Sequence, residues 1–255
     1  MRMLRWLGLA AVVLLAGCAS EADRDTLYQT STVSALQEGV YDGEVTLAEV
    51  VARGDVGLGT FNALDGEMVV LDGTVYQVRA DGKAYRPPAD TCTPFAAVTH
   101  FEVDRRGEAD GGVGYDDLKV VIDRIAGIRN VPVAVRIDGR FRYVKTRSVP
   151  RQTKPYPRLV EVAKRQPTFE FHDVEGTLVG FRLPPFVEGL NVPGYHLHFL
   201  TEDRSAGGHV LEVTAEAVRI AVDVTPRLHV ALPTGGAFTE TDLGRDTAGE
   251  LERIE

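Results

Sequence analysis

Cysteine is scarce in this chain, with two residues, Cys18 and Cys92, among 255. Cys18 belongs to a processing motif described below, so Cys92 is left without a partner for an internal disulfide. Stability then has to come from packing. Basic charge is also short. Lys and Arg total 28 against 37 for Asp and Glu, a formal charge of -9 that argues against a general nucleic-acid binder, whose phosphate contacts need basic density. The apolar run Leu7 to Ala16 falls well short of the about 20 residues that a permanent membrane-spanning helix requires. What is present is an ordinary globular composition, 44% hydrophobic and 25% charged, enough for one large domain or two small ones.

The first residues read as targeting. Arg2 and Arg5 form a positive start and Leu7 to Ala16 a short apolar core, and Leu15-Ala16-Gly17-Cys18 matches a bacterial lipobox. Residues 1–17 are therefore expected to be a lipoprotein signal peptide, with lipid attached to Cys18 and residues 18–26 as a tether. That predicts an exported protein anchored in the bacterial cell envelope. An ordinary secretory peptide cut nearby is the alternative.

The pattern beyond the leader is that of a mixed α/β (α+β) fold. Thr46 and Glu49 form a capping box that opens a helix LAEVVAR, closed by Gly54. Segments 59–64, 67–71 and 74–78 are β-rich and separated by Asp65-Gly66 and Asp72-Gly73 turns. Arg105 to Gly114, rich in glycine and charge, reads as a loop, followed by a helix LKVVIDRIAG capped by Asp116 or Asp117. Asp138-Gly139 predicts a hairpin between 131–137 and 140–145. A helix over 158–165 precedes further strands at 168–173, 177–183, 195–202, 209–215, 217–224 and 227–232. The expected organisation is two β-rich subdomains, 27–150 and 151–255, with mixed or antiparallel sheets and a few short helices. Weak echoes, Asp65 to Val69 with Glu175 to Val179 and His100-Phe101 with His198-Phe199, hint at a duplicated unit.

Chemistry concentrates in Gly194 to His209, GYHLHFLTEDRSAGGH. His196 and His198 are two apart in an apolar-flanked run, so a strand would put both imidazoles on one face. Gly207 and Gly208 favour a reversal that brings His209 opposite them. Three imidazoles on one side of a ribbon leave a metal with an open position, the arrangement of a catalytic zinc. The competing reading of an H-x-H pair is a polar strand face without a ligand. Glu67 is a second signal, because a carboxylate beside Met68-Val69-Val70-Leu71 is poorly placed unless it meets a metal, an arginine or water. Arg147 similarly closes the strand Tyr143 to Thr146. Each of these two, taken singly, also fits a solvated charge at a strand end.

Four segments carry a resemblance: Gly59-Thr-Phe-Asn-Ala-Leu-Asp-Gly-Glu67, Thr93-Pro-Phe-Ala-Ala-Val-Thr99, Tyr143-Val-Lys-Thr-Arg-Ser-Val-Pro-Arg-Gln152, and Gly194-Tyr-His-Leu-His-Phe199 onward to Gly207-Gly-His209. With them in order from about Tyr28 to the C-terminus, the chain resembles the α-acetolactate decarboxylase family. The resemblance implies a zinc enzyme that converts α-acetolactate, a small 2-hydroxy-3-keto acid, to acetoin and carbon dioxide through a metal-stabilised enediolate. It implies His196, His198 and His209 as Zn2+ ligands, Glu67 and Arg147 as the active-site carboxylate and guanidinium, and Thr60 lining the site. It also implies a C-terminal glutamate at the metal, with Glu255 the best placed and Glu252 the alternative, and a homodimer.

Two other readings compete. His196-x-His198-x-x-x-Glu202 has the spacing of a first cupin motif, which would bring iron or manganese oxygen chemistry, but its flanking glycines are out of register. A non-catalytic, lipid-anchored zinc-binding or ligand-binding protein is the other, although it would have no need of Arg147.

Overall fold

The structure is a computed structural model that describes residues 24–245 and 248–251. The expected leader and Cys18, and the candidate glutamates Glu252 and Glu255, lie outside the described residues. Along the chain come β1 (Thr26–Thr30), α1 (Val33–Gln37), β2 (Val45–Thr46), α2 (Leu47–Val51), β3 (Val56–Thr60), β4 (Glu67–Leu71), β5 (Thr74–Val78), β6 (Ala84–Tyr85), β7 (Cys92–Thr93) and β8 (Ala96–Thr99). There follow β9 (Arg105–Gly114), α3 (Tyr115–Ala126), β10 (Val133–Arg147), α4 (Leu159–Ala163), β11 (Thr168–Leu183), β12 (Gly194–Thr201), β13 (Gly207–Val224), β14 (Arg227–Ala231), α5 (Ala237–Glu240) and α6 (Ala248–Leu251). The class is mixed α+β, with several sheets and a few short helices. Among the described residues no helix is long and apolar enough to cross a membrane.

A seven-stranded sheet runs β14-β1-β8-β3-β4-β5-β6, with β14 parallel to β1 and the remaining pairs antiparallel. The second sheet is antiparallel, β10-β11-β12-β13-β9, and it curls until β10 also pairs with β13. The two sheets bury apolar faces against each other. Leu27, Leu58 and Ala97 of the first meet Ala134, Phe181 and Leu183 of the second, and Val69 and Val78 meet Val179 and Leu200. The α2 residues Leu47 and Val50 cover the opposite face of the first sheet over Met68, Val70 and Val98. The α3 residues Leu118, Ile122 and Ala126, spaced four apart along one stripe, pack on the second sheet.

Local signals were obeyed where short-range chemistry decides. The Thr46–Glu49 capping box forms, with Thr46 N–H donating to Glu49 Oε2 at 2.8 Å. Gly127 closes α3 in the left-handed region, φ 61°. That helix begins at Tyr115, however, so Asp116 and Asp117 sit in its first turn, where they favour the helix dipole, and do not cap it.

Long-range pairing overrode other signals. Arg105 to Gly114 is an edge strand on β13, not a loop, because an edge tolerates charge facing water. The expected hairpin at Asp138-Gly139 is the middle of the continuous strand β10. Asp138 accepts hydrogen bonds from Arg136 Nε at 2.8 Å and Thr177 Oγ1 at 2.9 Å. Gly139 allows close approach of β13, since a Cβ there would stand 2.3 Å from the Ala217 carbonyl oxygen. Likewise 168–183 and 207–224 are single long strands. Sheet membership also departs from the expected division at 150/151: β9 and β10 join the histidine-bearing sheet, and β14 returns to the first. The weak echoes fall on unlike settings, as His198-Phe199 lies in β12 while His100-Phe101 lies in the connection after β8.

That connection carries a testable electrostatic feature. Asp223, on β13, is buried and accepts from the backbone N–H of Glu102 at 3.2 Å, while its Oδ1 has no hydrogen-bond partner. Burial, helped by nearby Asp104, Asp25 and Glu102, raises its carboxyl to about 7. A carboxyl raised in the folded state binds its proton more tightly there than in the unfolded chain, so stability falls as pH rises from about 4 to about 7. Asp223→Asn is expected to stabilise the protein by roughly 2 kcal/mol at pH 8 and to lose that advantage towards pH 4. Thermal melts of both proteins across that range check it; a difference independent of pH would contradict it.

Candidate active site

The histidines expected on a ribbon lie where strand periodicity puts them. His196 and His198 share one face of β12, and His198 is the direct cross-strand partner of His209 on β13. One nitrogen from each of the three lies within 4.8 Å of the others. His198 and His209 are buried and His196 half-buried. His198 Nδ1 is 2.7 Å from the Met68 carbonyl oxygen, which can only accept, so Nδ1 carries the proton and Nε2 presents a lone pair. That lone pair is 3.2 Å from His196 Nε2. A tetrahedral metal with nitrogen bonds of 2.0–2.1 Å puts neighbouring donors roughly 3.3 Å apart, so this pair has the spacing of two ligands to one metal ion. The carbonyl that fixes the tautomer is a common device at such sites.

Burial holds the imidazoles neutral. Desolvation first, and Arg147 second, lower His196 to about 3. Burial dominates for His198, with His196 and Arg147 adding to it against the Met68 hydrogen bond, and for His209, with Arg147 and the other two histidines adding. Neutral imidazole is the form that binds a metal.

Glu67 and Arg147 meet these histidines from different sheets. Glu67 opens β4 directly opposite Thr60 on β3. Arg147 ends β10 opposite His209. Arg147 Nη1 donates to Glu67 Oε1 at 2.9 Å, and Glu67 Oε2 is 3.6 Å from His198 Nε2. The pair's side chains are 6% and 8% exposed, so neither is a solvated strand-end charge. Thr60, also buried, donates to the Gly66 carbonyl at 2.7 Å, fixing the turn that delivers Glu67. Backbones crowd behind the site. At Gly208, φ 134°, a Cβ would lie 2.4 Å from the Arg147 carbonyl oxygen, so the residue beside the third ligand needs to be glycine for β10 and β13 to close.

A small cavity of about 50 Å³ adjoins this cluster. Thr60, Glu67, Arg147 and His196 supply its polar side, and Val33, Leu36, Leu64, Phe95, Val149, Leu159 and Val192 its apolar wall. The sequence reading missed most of that wall. Helix α1 could have been found from Thr32, whose hydroxyl accepts the Ala35 N–H as an N-cap before an apolar residue. It also grouped Arg147 with Thr60 and Glu67 in one half, whereas Arg147 lies on the histidine sheet. Glu202 is exposed in the turn after β12 and is not part of the histidine cluster, so the cupin ligand set does not form. Cys92 sits in the short β2–β7 pairing.

Comparison with known proteins places the sequence and the fold. A profile of the alpha-acetolactate decarboxylase family matches residues 27–245. An alpha-acetolactate decarboxylase from Methanosarcina mazei is 47% identical over 231 residues, covering 91% of this chain and 80% of the relative. One from Methylococcus capsulatus is 46% identical over 229 residues, covering 90% and 88%. The crystal structure of alpha-acetolactate decarboxylase from Bacillus subtilis strain 168 superposes with a TM-score of 0.88 at 39% identity, covering 90% of this chain and 99% of that one. With a profile spanning most of its length and relatives at this identity, the chain belongs to the alpha-acetolactate decarboxylase family.

Proposed function

We propose that this protein decarboxylates α-acetolactate to acetoin at the cluster of His196, His198, His209, Glu67 and Arg147, with zinc as the metal. The observation that carries it is the convergence of three neutral imidazoles, two buried and one half-buried, with a buried Glu67–Arg147 pair beside one cavity. Zn2+ held by the three histidines would supply a Lewis acid that polarises the substrate's oxygens and stabilises the charge left when carbon dioxide departs.

The chain's own groups do the rest. The planar guanidinium of Arg147 offers a fork of donors that orients the substrate carboxylate. Loss of carbon dioxide leaves the bonding electrons on the carbon that bore the carboxylate and, by conjugation, on the ketone oxygen. That carbon then takes a proton. Glu67 and Glu255 are the two carboxyl groups assigned to deliver it, Glu67 from its place between Arg147 and His198, Glu255 by the resemblance. Thr60 keeps Glu67 in position, and the apolar wall takes up the substrate's methyl groups. Anchorage to the envelope membrane through Cys18, supported by the Leu15–Cys18 motif, and a homodimer, supported by the resemblance, belong to the same reading.

The test is direct. Purified protein is given racemic α-acetolactate before and after chelation, and acetoin is followed against the spontaneous background. Activity should vanish on chelation and return with zinc. Acetoin release at the background rate from zinc-loaded protein would overturn the proposal.

A further inference from the structure

One side of the cavity's apolar wall is built on two short helices, α1 through Val33 and Leu36, and α4 through Leu159. Five-residue helices have little stability of their own in water, so their placement depends on what ties them down. Besides apolar packing, the tie is an ion network at the helix ends. Arg158, the N-cap residue of α4, points Nη2 and Nε at the carboxylate of Glu38, the C-cap residue of α1, at 2.7 and 3.2 Å. The same guanidinium grips Glu250 of α6, with Nη1 at 3.0 Å and Nη2 at 2.8 Å. Arg245 approaches Glu38 at 3.7 Å. The Glu38 side chain is only 9% exposed, so its charge needs these partners. Three segments remote in sequence are thus joined through one planar cation.

We propose that Arg158 is a positioning residue for the reaction, one that holds the α1–α4 wall of the cavity in register and moors the C-terminal segment beside it. It touches no reacting atom. Leu36 and Leu159 transmit its effect to the substrate, and displacement of such a wall by an ångström is enough to cost catalysis. Two simultaneous forks require the guanidinium plane, and a lysine offers one point charge. The inference rests on the decarboxylase reading for its kinetic part alone.

The test uses full-length, zinc-supplemented Arg158→Ala, Arg158→Lys and the milder Glu250→Gln, which serves if Arg158→Ala does not fold. Hydrogen exchange should quicken in residues 33–38, 158–163 and 237–251, while exchange in β12 and β13 and the zinc content stay as in wild type. Turnover of α-acetolactate should fall about tenfold in kcat/KM for Arg158→Ala, chiefly through KM, with Arg158→Lys intermediate. Wild-type exchange in those segments overturns the clamp whatever the turnover, and quickened exchange with unchanged kcat/KM overturns its role in positioning. If wild type makes no acetoin, the decarboxylase reading fails, and with it the catalytic role given to Arg158, while the exchange data still decide the clamp.

Discussion

His198→Ala should lower acetoin release to the spontaneous background, a loss of roughly a hundredfold or more, and should leave a protein that no longer responds to chelator. Two effects combine in that substitution and can be separated. One is the loss of a proposed metal ligand, whose Nε2 lies 3.2 Å from that of His196 and whose cross-strand partner is His209. The other is structural, because the Met68 carbonyl, which accepts from His198 Nδ1 at 2.7 Å, loses its side-chain donor in the interior. Met68 stays paired between β3 and β5, so loss of this one hydrogen bond costs about 0.5–1.5 kcal/mol with or without metal. Metal linkage is the distinguishing quantity. Zinc at a thousand times its dissociation constant stabilises the folded chain by about 4 kcal/mol. Wild type should therefore lose several degrees of Tm on chelation, whereas His198→Ala should melt at one temperature with or without chelator. A chelator-sensitive melt in the variant would mean that His198 is not a ligand.

The second large effect concerns Glu67 and Arg147. Arg147→Met takes the cation away from a carboxylate that is 8% exposed, and breaking such a buried pair from one side costs about 3–5 kcal/mol. Glu67→Gln removes the counter-charge of the guanidinium in turn, with a loss of the same sign. The double variant removes both charges and should regain most of the lost stability, since paired charges in an interior are worth little over neutral groups that fill the same space. Activity should not return, because the proposed roles are chemical. Measured on chelated protein, so that a cation does not substitute for Arg147, the double-mutant cycle should give a coupling of about 5 kcal/mol or more, because the two single losses together far exceed that of the double variant. Additive single effects would show that the 2.9 Å contact contributes nothing, and an active double variant would remove both residues from the mechanism.

How far this site could be read from residue order follows from the range over which each constraint acts. His196, His198 and His209 were legible because alternation along one strand and a glycine-assisted reversal are local. Glu67 stood out because a charge in an apolar run needs a partner, although the partner's identity, 80 positions away, is a property of sheet packing. The same distance explains the failures. Asp138-Gly139 carries the chemistry of a turn, and it is overruled by two flanking strands that run past it on both sides. Arg105 to Gly114 has the composition of a loop, and its strand character comes entirely from β13. The cavity wall was not legible because Leu36, Leu64, Val149 and Leu159 are unremarkable singly and converge through the packing of α1 and α4.

The pairing of β1 with β14 has a consequence for how the molecule is made. β1 is laid down among the earliest residues of the fold, and one of its edges is satisfied by β8, some 70 positions later. Its other edge waits for Arg227 to Ala231, which a ribosome supplies about 200 residues after Thr26. During vectorial synthesis the first sheet therefore carries an open, hydrogen-bond-hungry border almost to the end, a template for mispairing with other nascent chains. Among the described strands β14 is the one that covers this edge of β1, becoming the border of the sheet in its place, and the interval before that pairing is when the chain would benefit most from a chaperone.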